Sequence, residues 1–101
     1  MWVLRVSGLA AQPEGKTFRL SDGSVKTVGR ATRADFIVDA PLVSRVHCRL
    51  TADKSGQLLV EDLDSTNGTQ VNGRRAPRAV VKAGDQIGVG SITIAVERHD
   101  T

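Results

Sequence analysis

The chain has 101 residues, enough for one domain, and its 14 basic and 11 acidic residues give a formal net charge of +3. The basic residues are scattered and the aromatics number only three, Trp2, Phe18 and Phe36, so the cationic stripe with interleaved aromatics of a nucleic-acid binder is missing. The single cysteine, Cys48, excludes an internal disulfide and a thiolate metal cluster, and no apolar run approaches the ~18 residues of a membrane span.

Thirteen valines and ten glycines favour pleated sheet joined by tight turns. Helical periodicity is nearly absent, and period-two alternation recurs along the chain. The first run, 2–7, alternates Trp2, Leu4 and Val6 with Val3 and Arg5. After the turn residues Gln12-Pro13-Glu14-Gly15 comes a strand over 16–20, then Ser21-Asp22-Gly23 and a strand over 25–29. A short strand follows at 36–38. The run 46–52 sets Val46, Cys48 and Leu50 against His47 and Arg49, which puts Cys48 in the core. Lys54-Ser55-Gly56 leads to 57–62, and Asn67-Gly68 leads to 69–71. Asn72-Gly73 follows, with a weaker strand signal at 74–76 and strands at 79–81 and 86–89 separated by Ala83-Gly84-Asp85. The last run, 91–97, is the clearest: Ile92, Ile94 and Val96 face one way, and Ser91, Thr93, Ala95 and Glu97 the other. From about Arg98 the chain is expected to fray. Many short strands at this spacing predict an all-β sandwich forming one domain over 1–101, with its ordered core at 2–97.

Three polar clusters fall in turns between these strands: Val28-Gly29-Arg30, Val43-Ser44-Arg45-Val46-His47, and Asp62-Leu63-Asp64-Ser65-Thr66-Asn67-Gly68-Thr69. They hold most of the guanidinium, hydroxyl, amide and backbone N–H groups that could converge on an anion, and loops on a rigid sandwich are where binding groups sit. The order and spacing of Gly-Arg, then Ser-Arg-Val-His, then Asp-Ser-Thr-Asn-Gly-Thr-Gln-Val-Asn-Gly resembles the forkhead-associated (FHA) family, over the whole chain from Trp2 to Val96. The resemblance implies an eleven-stranded, antiparallel-rich β-sandwich with a phosphopeptide site on the loops at one end. Arg30 and Ser44 would then contact the phosphate, with Arg45 beside it. Thr66 would add a hydroxyl or N–H, and Asn67 would hold the peptide backbone next to the phosphothreonine. It also implies a preference for phosphothreonine over phosphoserine, for which a small apolar notch accepting the extra methyl is a physical cause.

Elementary chemistry agrees with this assignment. A phosphothreonine carries roughly −1.5 to −2 charges at neutral pH and three strong acceptors. Arg30 offers a planar fork that stays charged, and Ser44 a short donor that does not crowd the phosphate. Three or four charge-assisted hydrogen bonds of roughly 1.5–3 kcal/mol each, less ordering costs, leave about −8 kcal/mol, a micromolar affinity. The Asn67 amide can donate and accept at once, which suits an extended backbone of any sequence.

The remaining polar residues have plainer readings. Gly29 supplies a close approach or a positive φ, and Gly68, Asn72 and Gly73 serve turn geometry in support of the site. His47 is a buttress whose ring bonds loop backbone. Arg45 is left to phosphate, peptide or solvent. Asp62 and Asp64 accept local hydrogen bonds or orient Arg30 or Arg45. A Ser44–His47 nucleophile pair is disfavoured because residues three apart on a strand face opposite ways and no third orienting group is evident. His47 and His99 make no metal motif. The expectation is therefore a binding module and not an enzyme, without cofactor or metal. It would be monomeric as an isolated domain and intracellular, in the cytoplasm or, in a eukaryote, also the nucleus. It would bind phosphothreonine-containing proteins, and neither nucleic acid nor membrane. The rival is a scaffold module binding an unmodified partner through a sheet face, such as the mildly polar side of the last strand.

Overall fold

A computed structural model describes residues 1–99. Eleven strands and no helix occur among them: β1 (Trp2–Ser7), β2 (Lys16–Leu20), β3 (Val25–Gly29), β4 (Phe36–Ile37), β5 (Cys48–Ala52), β6 (Leu58–Asp62), β7 (Thr69–Val71), β8 (Arg74–Arg75), β9 (Arg78–Val81), β10 (Gln86–Val89) and β11 (Ile92–Arg98). They form a six-stranded sheet in the order β2-β1-β11-β10-β7-β8 and a five-stranded sheet in the order β4-β3-β5-β6-β9. All pairings are antiparallel except β3 with β4. The expected all-β sandwich is thus the observed fold.

The alternation that marked the strands now marks the core. In β11, Ile92, Ile94 and Val96 are buried while Thr93 and Ala95 are only half so. Register then lines up apolar partners on the inner faces: Leu4 opposite Val96 and Val6 opposite Ile94 in one sheet, Val28 opposite Cys48 and Leu50 opposite Val60 in the other. A one-residue slip would turn each of these outward, so the buried face fixes the register. Each fully buried aliphatic side chain contributes about 1.5–3 kcal/mol. Phe18 on β2 and Phe36 on β4, the outermost strands on one side of their sheets, stack at 4.4 Å between ring centroids and close that side. Val3 breaks the pattern: it is buried although it points away from the core face, between Arg19 and Glu97 in register, whose long stems flank it.

Two expectations at strand ends need correction. β5 begins at Cys48, not at 46, because the chain at Val46 and His47 is drawn into the loop cluster; His47 keeps backbone bonds to Val28 and Leu63. Arg98 is not frayed. It closes β11, pairs with both Asp22 carboxylate oxygens at 2.6 and 2.8 Å, and lies over the Trp2 ring at 5.0 Å. Asp100 and Thr101, also expected to fray, lie outside the described residues. The weak signal at 74–76 is the real strand β8.

Candidate functional site

Three connections meet at one end of the sandwich: 30–35 after β3, 38–47 before β5, and 63–68 between β6 and β7. Gly29 makes the first junction possible. A Cβ there would sit 2.1 Å from the Arg45 carbonyl oxygen and 2.8 Å from the Val46 Cα, so only glycine lets the two segments run side by side. Of the two roles expected for Gly29, close approach is the real one. Backbone bonds then zip the segments together, Arg30 N–H to the Ser44 carbonyl and Ala31 N–H to the Arg45 carbonyl, both at 3.0 Å.

His47 ties in the third connection. Its ring is completely buried. Nδ1 accepts the Ser44 amide at 3.0 Å, which leaves the proton on Nε2 to donate to the Gly68 carbonyl at 2.8 Å. The ring thus bridges backbone groups of the 38–47 and 63–68 connections. Residues 44–47 form a loop and not a strand, so strand alternation does not set Ser44 apart from His47; their hydrogen bonds do. Both ring nitrogens are committed to backbone, and the Ser44 hydroxyl accepts the Thr66 amide at 3.1 Å.

The 63–68 turn is organised from below by Asp62, which takes the local role and orients neither arginine. Its Oδ1 accepts from the Ser65 hydroxyl and, at 2.7 Å, from the Thr69 hydroxyl, while Oδ2 accepts the Ser65 amide at 3.0 Å. Burial opposes ionisation of this carboxyl, but those donors outweigh it and hold its pKa below the usual aspartate range. Ser65 Oγ in turn accepts the Gly68 amide at 2.9 Å. Ser65 and Thr69 stand in the third polar cluster of the sequence without an assigned role; the short Asp-x-x-Ser spacing is their local signal, since it suits a side chain capping its own turn.

Arg30, Ser44, Arg45, Thr66 and Asn67 all line one open groove of about 1020 Å³ at this end. Arg30, Ser44, Thr66 and Asn67 each have part of their hydrogen-bonding capacity spent on the frame. Arg30 donates through Nε to the Val43 carbonyl at 3.1 Å, which leaves its two terminal nitrogens as an exposed fork. Ser44 accepts from Thr66, so its own hydroxyl proton is turned elsewhere. Because the Thr66 N–H is occupied, its hydroxyl is the group left for a ligand. Asn67 donates through Nδ2 to the Leu42 carbonyl at 3.1 Å and retains a second amide proton and Oδ1. Arg45 is exposed at the rim. Arg33, which no motif singled out, lines the same groove, as do Asp39 and Asp64.

Leu42 was also missed. It has φ of +69° and is 62 % exposed. The left-handed region costs an ordinary L-residue roughly 1–2 kcal/mol, so the surroundings must impose it. Asn67 grips its carbonyl, the Ser91 amide donates to the Pro41 carbonyl at 3.1 Å, and Gly90 packs so close that a Cβ there would lie 2.6 Å from the Leu42 carbonyl carbon. Of the supporting residues expected at the site, Gly29, His47 and Gly68 are there. Asn72 and Gly73 are elsewhere. With φ of +53° and +82° they form the turn ending β7 away from the groove, where the Asn72 side chain pins Asp85 and Gln86.

Residues 26–90 match the FHA domain family. FhaA, an FHA domain-containing protein of Mycobacterium tuberculosis, is 38% identical over 86 residues, covering 84% of this chain and 16% of that protein; the chain thus spans a small part of this relative. A structure from a structural and functional analysis of phosphothreonine-dependent FHA domain interactions shares the fold with a TM-score of 0.86 at 31% identity, covering 99% of this chain and 98% of the other. The FhaA FHA domain complexed with the intracellular domain of Rv3910 gives 0.83 at 31% identity, covering 96% of this chain and all of that one. With the match spanning most of the sequence and the fold shared from end to end, the chain belongs to the FHA domain family.

Proposed function

We propose that the chain is a phosphothreonine-dependent peptide-binding module that mediates protein–protein interactions in phospho-signalling. The observation that carries this reading is the convergence of a guanidinium fork, two hydroxyls and a side-chain amide, from Arg30, Ser44, Thr66 and Asn67, on one groove although they lie up to 37 positions apart. In this reading the terminal nitrogens of Arg30 hold two phosphate oxygens, and the Ser44 and Thr66 hydroxyls donate to the phosphate. Arg45 adds charge at the rim, and Asn67 spans the adjacent peptide unit with its remaining proton and oxygen. The fixed frame lowers the ordering cost of binding, because Arg30 and Asn67 are already held by the Val43 and Leu42 carbonyls. Likeness to structures studied for phosphothreonine-dependent interactions supports the same ligand class.

The chain acts as an interaction module and not as an enzyme in this reading. A nucleophile needs a base on its hydroxyl, and the buried His47 ring faces backbone on both sides. The partner is a phosphothreonine-bearing protein of the cell interior. Capture of partners from a lysate before and after phosphatase treatment tests the proposal: the bound proteins should be lost on dephosphorylation. A scaffold contact through the outer face of β11, around Thr93 and Ala95, would survive the phosphatase and replace this reading.

A further inference from the structure

Among the described residues, large exposed hydrophobics are Val25, Leu42 and Val80. Leu42 belongs to the groove; Val25 and Val80 do not. Register places these two valines in one transverse row on the outer face of the five-stranded sheet. Val25 on β3 pairs with Thr51 on β5, Thr51 with Leu59 on β6, and Leu59 with Val80 on β9. All four side chains point away from the core, in the alternation that buries Leu50, Leu58, Val60 and Val81. Val25 and Val80, at the two ends of the row, are 52 and 49 % exposed. Two residues along each strand, toward the groove end, lies a second row of Thr27, Arg49, Glu61 and Arg78. There Glu61 takes Arg49 at 3.2 Å and Arg78 at 3.9 Å, and all three stay partly open to solvent. The face is thus an apolar row beside a row that runs positive, negative, positive.

We propose that this face pairs with the same face of a second copy of the chain. The face is complementary to itself. A two-fold axis parallel to the strands, between β5 and β6, lays each row on its own reversed copy. Val25 then meets Val80 of the other copy, and Thr51 meets Leu59. Arg49 meets Glu61 and Glu61 meets Arg49, so four charges alternate around the axis, and neither row sets like charges opposite each other. Sheets stacked face to face cross at about 30°, but the offset this causes is smallest beside the axis, where the Arg49–Glu61 and Thr51–Leu59 contacts lie. The patch is roughly 300 Å² per copy, from four strands about 4.8 Å apart, and falls below the ~800 Å² per partner of a standard interface. A dilute chain is therefore monomeric, and pairing needs a high or locally raised concentration. Because the axis runs along the strands, both grooves open at the same end and neither is covered. Pairing is independent of what the grooves bind.

Sedimentation equilibrium of the intact chain tests this. Between about 20 µM and about 1 mM the average mass should climb toward that of a dimer, with a dissociation constant on the order of 100 µM. Val80→Asp, at an exposed position, should weaken pairing at least about tenfold and leave the melting temperature within about 3 °C. Arg49→Glu sets carboxylate on carboxylate across the axis, and Glu61→Arg sets guanidinium on guanidinium, so each variant alone should be monomeric over the whole range. An equal mixture of the two restores opposite charges across the interface and should dimerise as the parent does. A parent that stays monomeric at about 1 mM overturns the proposal and leaves the face to a different protein. A dimer insensitive to Val80→Asp and to both charge reversals overturns it too, by using another surface. A mixture no better associated than either variant alone overturns the charge register and the two-fold arrangement with it.

Discussion

The Thr66 amide donates to the Ser44 hydroxyl at 3.1 Å, a bond across 22 positions of chain that joins the two loops of the groove. Ser44 thus has two tasks, accepting from the frame and donating outward. Ser44→Ala removes both. It should weaken phosphothreonine-peptide binding at least tenfold, about 1.4 kcal/mol, as measured by calorimetry. Stability should fall by only about 1 kcal/mol, since Thr66 is exposed and water can take over its amide.

His47 carries no ligand-facing group, yet it spans two of the three connections. His47→Ala deletes a fully buried ring and two hydrogen bonds, leaving the Ser44 amide and the Gly68 carbonyl without partners. A loss of about 3 kcal/mol of folding stability in urea titration is expected, with weaker peptide binding as the loops loosen.

Gly29→Ala tests the close approach beneath Arg30. The added methyl meets backbone, the Arg45 carbonyl at 2.1 Å, and backbone cannot swing aside as a side-chain tip can. Destabilisation of at least about 2 kcal/mol is expected, with loss of binding in whatever fraction still folds. A variant as stable as the parent would show that the junction is looser than the structure describes.

Acid should act in two separate windows. Binding should weaken as the ligand phosphate takes up a proton near pH 6. Folding responds lower. Asp62 has its pKa depressed below the unfolded value of about 3.9, so its contribution is complete above that value and is lost as pH falls through the folded pKa. Melting temperature should therefore fall below about pH 4 as Asp62 takes up its proton. Asp62→Asn should lower stability at pH 7 and flatten that acid limb. Loss of binding and of folding at the same pH would contradict this separation.

The sandwich was legible because a strand with one dry face writes that face into every second residue, as Ile92, Ile94 and Val96 do. The site loops were legible because Arg30, Ser44, Thr66 and Asn67 sit between such strands in a specific order. Long-range details were not. Arg98 is ordered by Asp22, 76 positions away, and no local pattern announces that pairing. The φ of Leu42 is imposed by Asn67 and Gly90, so nothing in the leucine's own neighbourhood predicts it. The start of β5 shifted because His47 serves the loops instead of the ladder. Motif reading placed Thr66 at the site but left hydroxyl and amide open, and only the bond to Ser44 separates them.

The most direct measurement is calorimetric titration of the folded chain and of Arg30→Ala with one phosphothreonine peptide, chosen from a library, and with its unphosphorylated form. Micromolar binding of the phosphopeptide is predicted, with none detectable for the unphosphorylated form. The arginine variant should bind at least about tenfold more weakly while its melting temperature moves by less than about 3 °C. Equal affinity for both peptides, or an Arg30→Ala variant that binds as tightly as the parent, would contradict phosphate recognition at this groove.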